Sequence, residues 1–202
     1  MATKKKVAGP PVDVPGFLLE EDGNKAVARA TVALAKKWSL TRKESLADTA
    51  RLGWFYVALG RDREARELAE HVCERVAFTG DLEVWAAASQ SLVLAARLAR
   101  LRGDDAHRVS LVARLVEHPA FAATPREVVV KSISDATKDI RSAEVESAAK
   151  WALEGFARGC ARAAYFRETA AEAAYEPGVI DLAALDATIE EGLSGLRAYL
   201  AR

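Results

Sequence analysis

The 202-residue chain is poor in cysteine, proline and glycine, with two, six and twelve residues respectively. Its two cysteines, Cys73 and Cys160, are too few and too far apart for the disulfide scaffold of a small secreted protein. Pro10, Pro11 and Pro15 interrupt the apolar stretch after the basic N-terminus, so the sequence does not predict a signal peptide. No stretch approaches the roughly eighteen uninterrupted apolar residues of a membrane helix. These absences predict a cytoplasmic protein with no membrane partner.

The chain also lacks an excess of charge of either sign, because 29 basic residues balance 29 acidic ones. Affinity for a nucleic-acid backbone depends on many Lys and Arg contacts, and such proteins usually carry net positive charge. The balance therefore argues against bulk binding of DNA or RNA.

What the chain has in abundance is helix-forming sequence. Half of the residues are apolar, and about a fifth are alanine, which loses no side-chain entropy on entering a helix. No stretch alternates apolar and polar residues as a half-buried strand would. We therefore expect an all-α fold of about eight helices, forming one domain over residues 24–202. Residues 1–23, broken by prolines, are expected to be an extended arm.

Local signals place the helix ends. Thr41 and Glu44 stand at the spacing of a capping box, which predicts a helix from Thr41 to Leu59, and Thr124 to Glu127 form a second box. A further helix is expected over Leu82–Leu101. Val109, Val112, Ala113 and Val116 are expected to face inward from the next one. The stretch 143–175 contains Gly155 and Gly159, and its continuity stays open.

Two turns look alike and lie 43 residues apart, one around Gly60 and one around Gly103. Each joins a strongly apolar helix to an amphipathic one, which is the pattern of stacked helical hairpins. Over residues 46–79 the sequence resembles the tetratricopeptide repeat, on the following positions: Leu52, Gly53, Tyr56, Gly60, Ala65 and Ala69. The first Trp position of that family holds Thr49, and its closing Pro is absent. The resemblance implies a hairpin stack that binds other proteins.

Motifs that carry chemistry are missing from the sequence. It contains no GxGxxG, GxxxxGK[ST], HExxH, CxxC or GxSxG pattern. None of its histidines has a Glu three positions before it, as a di-metal helical bundle requires. We interpret His71 as lying on the polar face of its helix, both cysteines as buried thiols, and Gly192 and Gly195 as packing positions. No catalytic residue, metal ligand or cofactor is predicted.

The aromatic cluster Trp54–Tyr56 leaves two interpretations open. Four successive apolar residues from Trp54 to Val57 cover a whole turn, which favours a central, buried helix. By the tetratricopeptide resemblance, Trp54 and Val57 would instead face a concave groove. In that case the helices Thr41–Leu59 and Leu82–Leu101 would present a docking surface built from five residues: Trp54, Val57, Trp85, Arg97 and Arg100. Aromatics beside arginine are enriched at interface hot spots.

The predicted function is that of a non-enzymatic module for protein–protein interaction, such as an adaptor, a regulator or a neutraliser of a toxin-like partner. One alternative is an enzyme or small-ligand protein whose site lies in the core of a helical bundle. Another is a homo-oligomeric structural protein. Converging carboxylates in an enclosed pocket would favour the first alternative, and an open groove would favour the interaction module.

Overall fold

A computed structural model describes residues 13–76, 81–117, 150–172 and 180–202. Within these ranges all regular structure is helical, which confirms the all-α prediction. A short 3₁₀ helix, Gly16–Leu19, precedes seven α-helices: α1 (Lys25–Lys36), α2 (Lys43–Ala58), α3 (Asp62–Arg75), α4 (Leu82–Leu101), α5 (Asp105–Val116), α6 (Lys150–Glu172) and α7 (Leu182–Leu200). The predicted capping box at Thr124 lies outside the described residues.

Helices α2 and α4 form the centre of the fold. Helix α2 packs against α1, α3, α4, α6 and α7, while α4 packs against α2, α3, α5 and α6. Trp54, Phe55 and Tyr56 are each 1% exposed, so this turn of α2 is buried on all sides. Each such side chain stabilises the fold by roughly 1.5–3 kcal/mol through its burial. A Cβ atom at Gly53 would lie 2.4 Å from Leu94 Cδ2, which shows how closely α4 approaches α2 at this point.

The two similar turns end α2 and α4 with the same backbone motif. Gly60 and Gly103 have φ values of 72° and 74°, in the left-handed region that favours glycine. The N–H groups of Arg61 and Asp104 donate to the carbonyls of Tyr56 and Ala99, as in a Schellman motif. Because such caps end a large share of all helices, the shared motif explains the sharp turns without establishing a repeat.

Residues 13–24 pack against the α2–α3 end of the fold. Leu18 is buried, and the Phe17 ring lies 6.4 Å from that of Tyr56, centroid to centroid. Asp22 forms an ion pair with Arg61, whose guanidinium lies over the Tyr56 ring. These contacts join the segment before α1 to the main core.

Some local predictions were wrong. Helix α2 begins at Lys43 with Arg42 as its N-cap and no side-chain cap, because the Thr41 hydroxyl contacts Ser39 Oγ at 3.1 Å instead. Val109, expected to face inward, is 45% exposed, whereas Val112 is buried as expected, together with Leu111 and Leu115. His71 lies half-buried with its ring edge-on to Trp38, 5.6 Å between centroids, and not on a polar face.

Helix α6 runs without a break from Lys150 to Glu172, through both Gly155 and Gly159. It packs extensively against α7 and also against α2, α4 and α5. A Cβ atom at Gly195 of α7 would lie 2.7 Å from Phe156 Cε1 of α6, which confirms that Gly195 is a packing position. The two C-terminal helices therefore cover the α2–α4 pair, where a groove had been expected.

Candidate functional site

The structure places Trp54 and Val57 in the core. Trp54 is 1% exposed and Val57 is also buried, in the same hydrophobic cluster as Phe156 of α6 and Leu193 of α7. Neither side chain can therefore contact a partner from an open groove. For these two residues the docking prediction was wrong, and the alternative of a central, buried helix describes them.

The other three predicted docking residues do not form one surface either. Trp85 is half-buried near the start of α4, about 18 Å along the helix from Arg97 at 1.5 Å per residue. The Arg97 side chain is only 4% exposed, and that of Arg100 is 20% exposed. Both arginines are directed to the helices that cover α4, where they take part in ion pairs.

These ion pairs join three helices, and we call them the α4–α6–α7 ion cluster: Arg97, Arg100, Arg167, Glu168, Asp186, Glu190 and Arg197. Arg97 Nη2 donates to Glu190 Oε1 at 2.8 Å, and Arg100 Nε donates to Glu168 Oε1 at 2.8 Å. Asp186 Oδ1 accepts from Arg100 Nη2 at 3.1 Å. The cluster thus connects α4 to both C-terminal helices.

Burial decides the role of this cluster. The Glu168 side chain is 0% exposed, and an ionised carboxylate at such a position is stable only with a charge-assisted partner. Arg100 supplies that partner, and Arg167 Nε lies 3.9 Å from the same carboxylate oxygen. Arg97 and Arg100 are therefore best explained as the groups that hold α6 and α7 on α4.

Both cysteines are buried thiols, as the sequence predicted. Burial raises the pKa of Cys73 to about 12, and it raises the pKa of Cys160 to about 12 as well. A nucleophilic cysteine needs a lowered pKa and access to solvent. Neither thiol has those properties, so both belong to the packing of the core.

An open cleft lies on another side of α6, and we call it the α2–α4–α6 cleft. It consists of two pockets of about 200 and 190 Å³, which adjoin because Gln90 and Arg158 line both. The first pocket lies between α4 and α6, and its walls include the apolar residues Val93, Ala161 and Phe166. The second extends toward α2, where it reaches Ala47 and Arg51.

Among the described residues that line this cleft, three are charged, and all three are arginines: Arg51, Arg158 and Arg162. Arg51 forms an ion pair with Asp48, with 2.7 Å between Arg51 Nη2 and Asp48 Oδ1. The Arg158 side chain is exposed, and it forms no hydrogen bond or ion pair with the side chains that the structure describes. The sequence places Glu154 one turn earlier, but its side chain is outside the described part.

Other polar groups do not assemble into a recognisable reactive site. Among the described residues, no group of three His, Cys, Asp or Glu side chains could hold a metal ion. His107 Nε2 lies 3.7 Å from Glu70 Oε1 as an isolated pair. Burial lowers the pKa of His71, which favours a neutral ring against Trp38. No helix in the described ranges is both long and apolar enough to cross a membrane.

Sequence reasoning missed both the ion cluster and the cleft. Arg97 and Glu190 are 93 positions apart, so no helical spacing connects them. The cleft likewise needs α6 beside α2 and α4, and single-sequence patterns do not give this arrangement. A partial signal was the spacing of Arg158 and Arg162, which places two cations on one face of α6.

The comparisons with known proteins give one match. No curated protein and no solved structure matches the chain. A family of unknown function (DUF6707) matches residues 17–135, a range that contains α1 to α5 and more than half of the sequence. The match thus includes the α2 and α4 walls of the cleft, whereas α6 and α7 lie beyond it. The chain belongs to this family of unknown function, DUF6707.

Proposed function

We propose that this protein is a non-enzymatic interaction module that binds a segment of another protein in the α2–α4–α6 cleft. The observation that carries the proposal is the cleft itself, which is open, has apolar walls and is bordered by arginine. Adaptors, regulators and neutralisers of a toxin-like partner all need such a surface. The tetratricopeptide resemblance of residues 46–79 supports the same class of function.

The size of the pockets favours a protein partner over a cofactor or a metabolite. Sites for small molecules usually have volumes of about 300–1,000 Å³ and enclose most of the ligand. The two pockets here, of about 200 and 190 Å³, both open to solvent, so they would leave much of a bound small molecule exposed. They suit side chains that project from a larger partner. The two free, buried thiols support placing this interaction in the reducing cytoplasm.

A photo-crosslinking amino acid at Gln90, which lines both pockets, tests the proposal in cells that naturally contain the protein. We expect a covalent adduct with a different protein, and we expect Arg158→Glu to reduce it. The same crosslinker at Val109, an exposed position on α5, is the control and should not give that adduct. An adduct with a second copy of this chain alone would indicate the homo-oligomeric alternative. The absence of any adduct from Gln90 would contradict docking in the cleft.

A further inference from the structure

We infer that the segment bound in the cleft is acidic and inserts one large apolar side chain between α4 and α6. This inference rests on the proposed function and specifies its partner by chemistry. Three properties of the cleft support it: the volume and lining of the first pocket, the sign of the charges around it, and the contrast with the ion cluster.

The first pocket suits a single apolar side chain. Its volume of about 200 Å³ is below the range of small-molecule sites, yet it is large enough to accept a leucine or phenylalanine side chain. Val93, Ala161 and Phe166 line this space, and all three are packed into the fold, so the apolar wall is held in place. Transfer of an apolar side chain from water to such surface is favourable in proportion to the area covered.

The charges around the pocket favour a bound segment that has acidic residues next to that apolar side chain. Arg158 and Arg162 are four residues apart on α6, so they lie on one face about 6 Å apart along the helix axis. The described residues that line the two pockets include no Asp or Glu. A carboxylate of a partner could pair with the exposed Arg158, and arginine can bind a carboxylate through two parallel hydrogen bonds.

In the ion cluster, the arginines that stabilise the fold are paired with carboxylates of the same chain. Arg97, Arg100 and Arg167 each lie within 3.2 Å of a carboxylate oxygen on another helix. Arg158 has no such partner among the described side chains, although it lies on the same helix as Arg167. A carboxylate from another molecule would give Arg158 the pairing that its counterparts receive within the chain.

A phage-displayed library of random 16-residue peptides, selected on the full-length protein, tests the inference. We expect the selected peptides to carry net negative charge and a shared Leu, Phe or Trp. The affinity of the strongest peptide is then measured by fluorescence anisotropy, with circular dichroism to confirm that each variant is folded. Arg158→Glu should weaken binding about tenfold or more, because it places like charges together. Arg29→Glu, at an exposed arginine on α1, is the matched control and should leave the affinity unchanged.

A second pair of variants tests the apolar pocket. Ala86 is exposed and lines the first pocket. The Phe side chain of Ala86→Phe should therefore occupy this space and strongly weaken binding of the peptide. Ala198→Phe, at an exposed alanine of α7, is its control and should have no effect. If the selected peptides are neutral or basic and Ala86→Phe still weakens their binding, the inference is overturned and the proposed function stands. If neither Ala86→Phe nor Arg158→Glu weakens any selected peptide, and Gln90 gives no crosslink, the proposed function fails with it.

Discussion

Helix α6 carries arginines on two sides, and their surroundings differ. On the side of α7, Arg167 lies 3.2 Å from Asp186 Oδ1, within a cluster that also pairs Arg100 with Glu168. On the side of α2, the cleft contains Arg158 and Arg162, and no described residue of its lining is acidic. Arg100 and Arg167 are therefore paired within the ion cluster, whereas Arg158 in the cleft forms no ion pair with a described side chain.

The difference indicates that the position of carboxylates, and not the number of arginines, separates the structural arginines from Arg158 of the proposed docking cleft. Buried charges destabilise a fold unless they are paired and hydrogen-bonded, which α4, α6 and α7 accomplish together. Exposed arginines contribute little to stability, because water screens them and their side chains retain entropy. The pattern of arginines beside aromatics predicts an interface at Arg97 and Arg100, yet both belong to the structural set.

We expect the largest change in the free energy of unfolding in the α4–α6–α7 ion cluster. Arg100→Ala should lower the free energy of unfolding by about 3–5 kcal/mol, because the fully buried Glu168 carboxylate loses its closest cation. Urea unfolding followed by circular dichroism measures the loss. The double variant Arg100→Met, Glu168→Leu removes both charges and should recover most of the stability. A loss below about 1 kcal/mol for Arg100→Ala would mean that the cluster does not hold the C-terminal helices.

Thiol labelling compares the two sides of α6 directly. Burial raises the pKa of Cys160 to about 12, so at pH 8 only roughly one thiol in 10⁴ is ionised. We expect Ellman's reagent to label Cys160 only when the protein unfolds, and the rate to rise with pH as the thiolate population grows. A cysteine introduced by Arg158→Cys should react at once. Rapid labelling of the native protein at Cys160 would show that α6 and α7 separate readily.

We expect the smallest change in the free energy of unfolding at Arg158, in the α2–α4–α6 cleft. Arg158→Ala should change the free energy of unfolding by no more than about 0.5 kcal/mol, because its side chain is exposed and has no described ion pair. Thermal and urea unfolding measure this, with Arg29→Ala as the matched exposed arginine. A loss above about 1 kcal/mol would place Arg158 among the structural arginines and would weaken the case for the cleft.

Where signals were local, the sequence was a good guide to the fold. Helix α4 was expected over Leu82–Leu101 and has those bounds, because Asp81 caps its first turn and Gly103 ends it with a left-handed residue. Asp104 and Asp181 likewise cap the helices that follow them. Thr41 shows the limit of such signals, since a competing contact with Ser39 displaced the expected cap.

The candidate site could not be predicted in the same way. Whether Trp54 faced a groove or the core depended on α6 and α7, and nothing in the sequence of α2 indicates which helices cover it. Arg97 offers a second case, because its partner Glu190 lies on a helix that is distant in sequence. Helical periodicity assigns a residue to a face, but the neighbour of that face is fixed by packing between helices.

Asn24 links α1 and α7, the first and last of the described α-helices, through one side chain. Its Oδ1 accepts hydrogen bonds from the N–H groups of Ala26 and Val27, while its Nδ2 donates to the carbonyl of Leu200 at 2.8 Å. The first turn of α1 and the last turn of α7, 176 positions apart, thus satisfy their terminal backbone groups together. Fraying of either end exposes polar groups of the other. The two ends therefore behave as a single unit of local stability rather than as two independent termini.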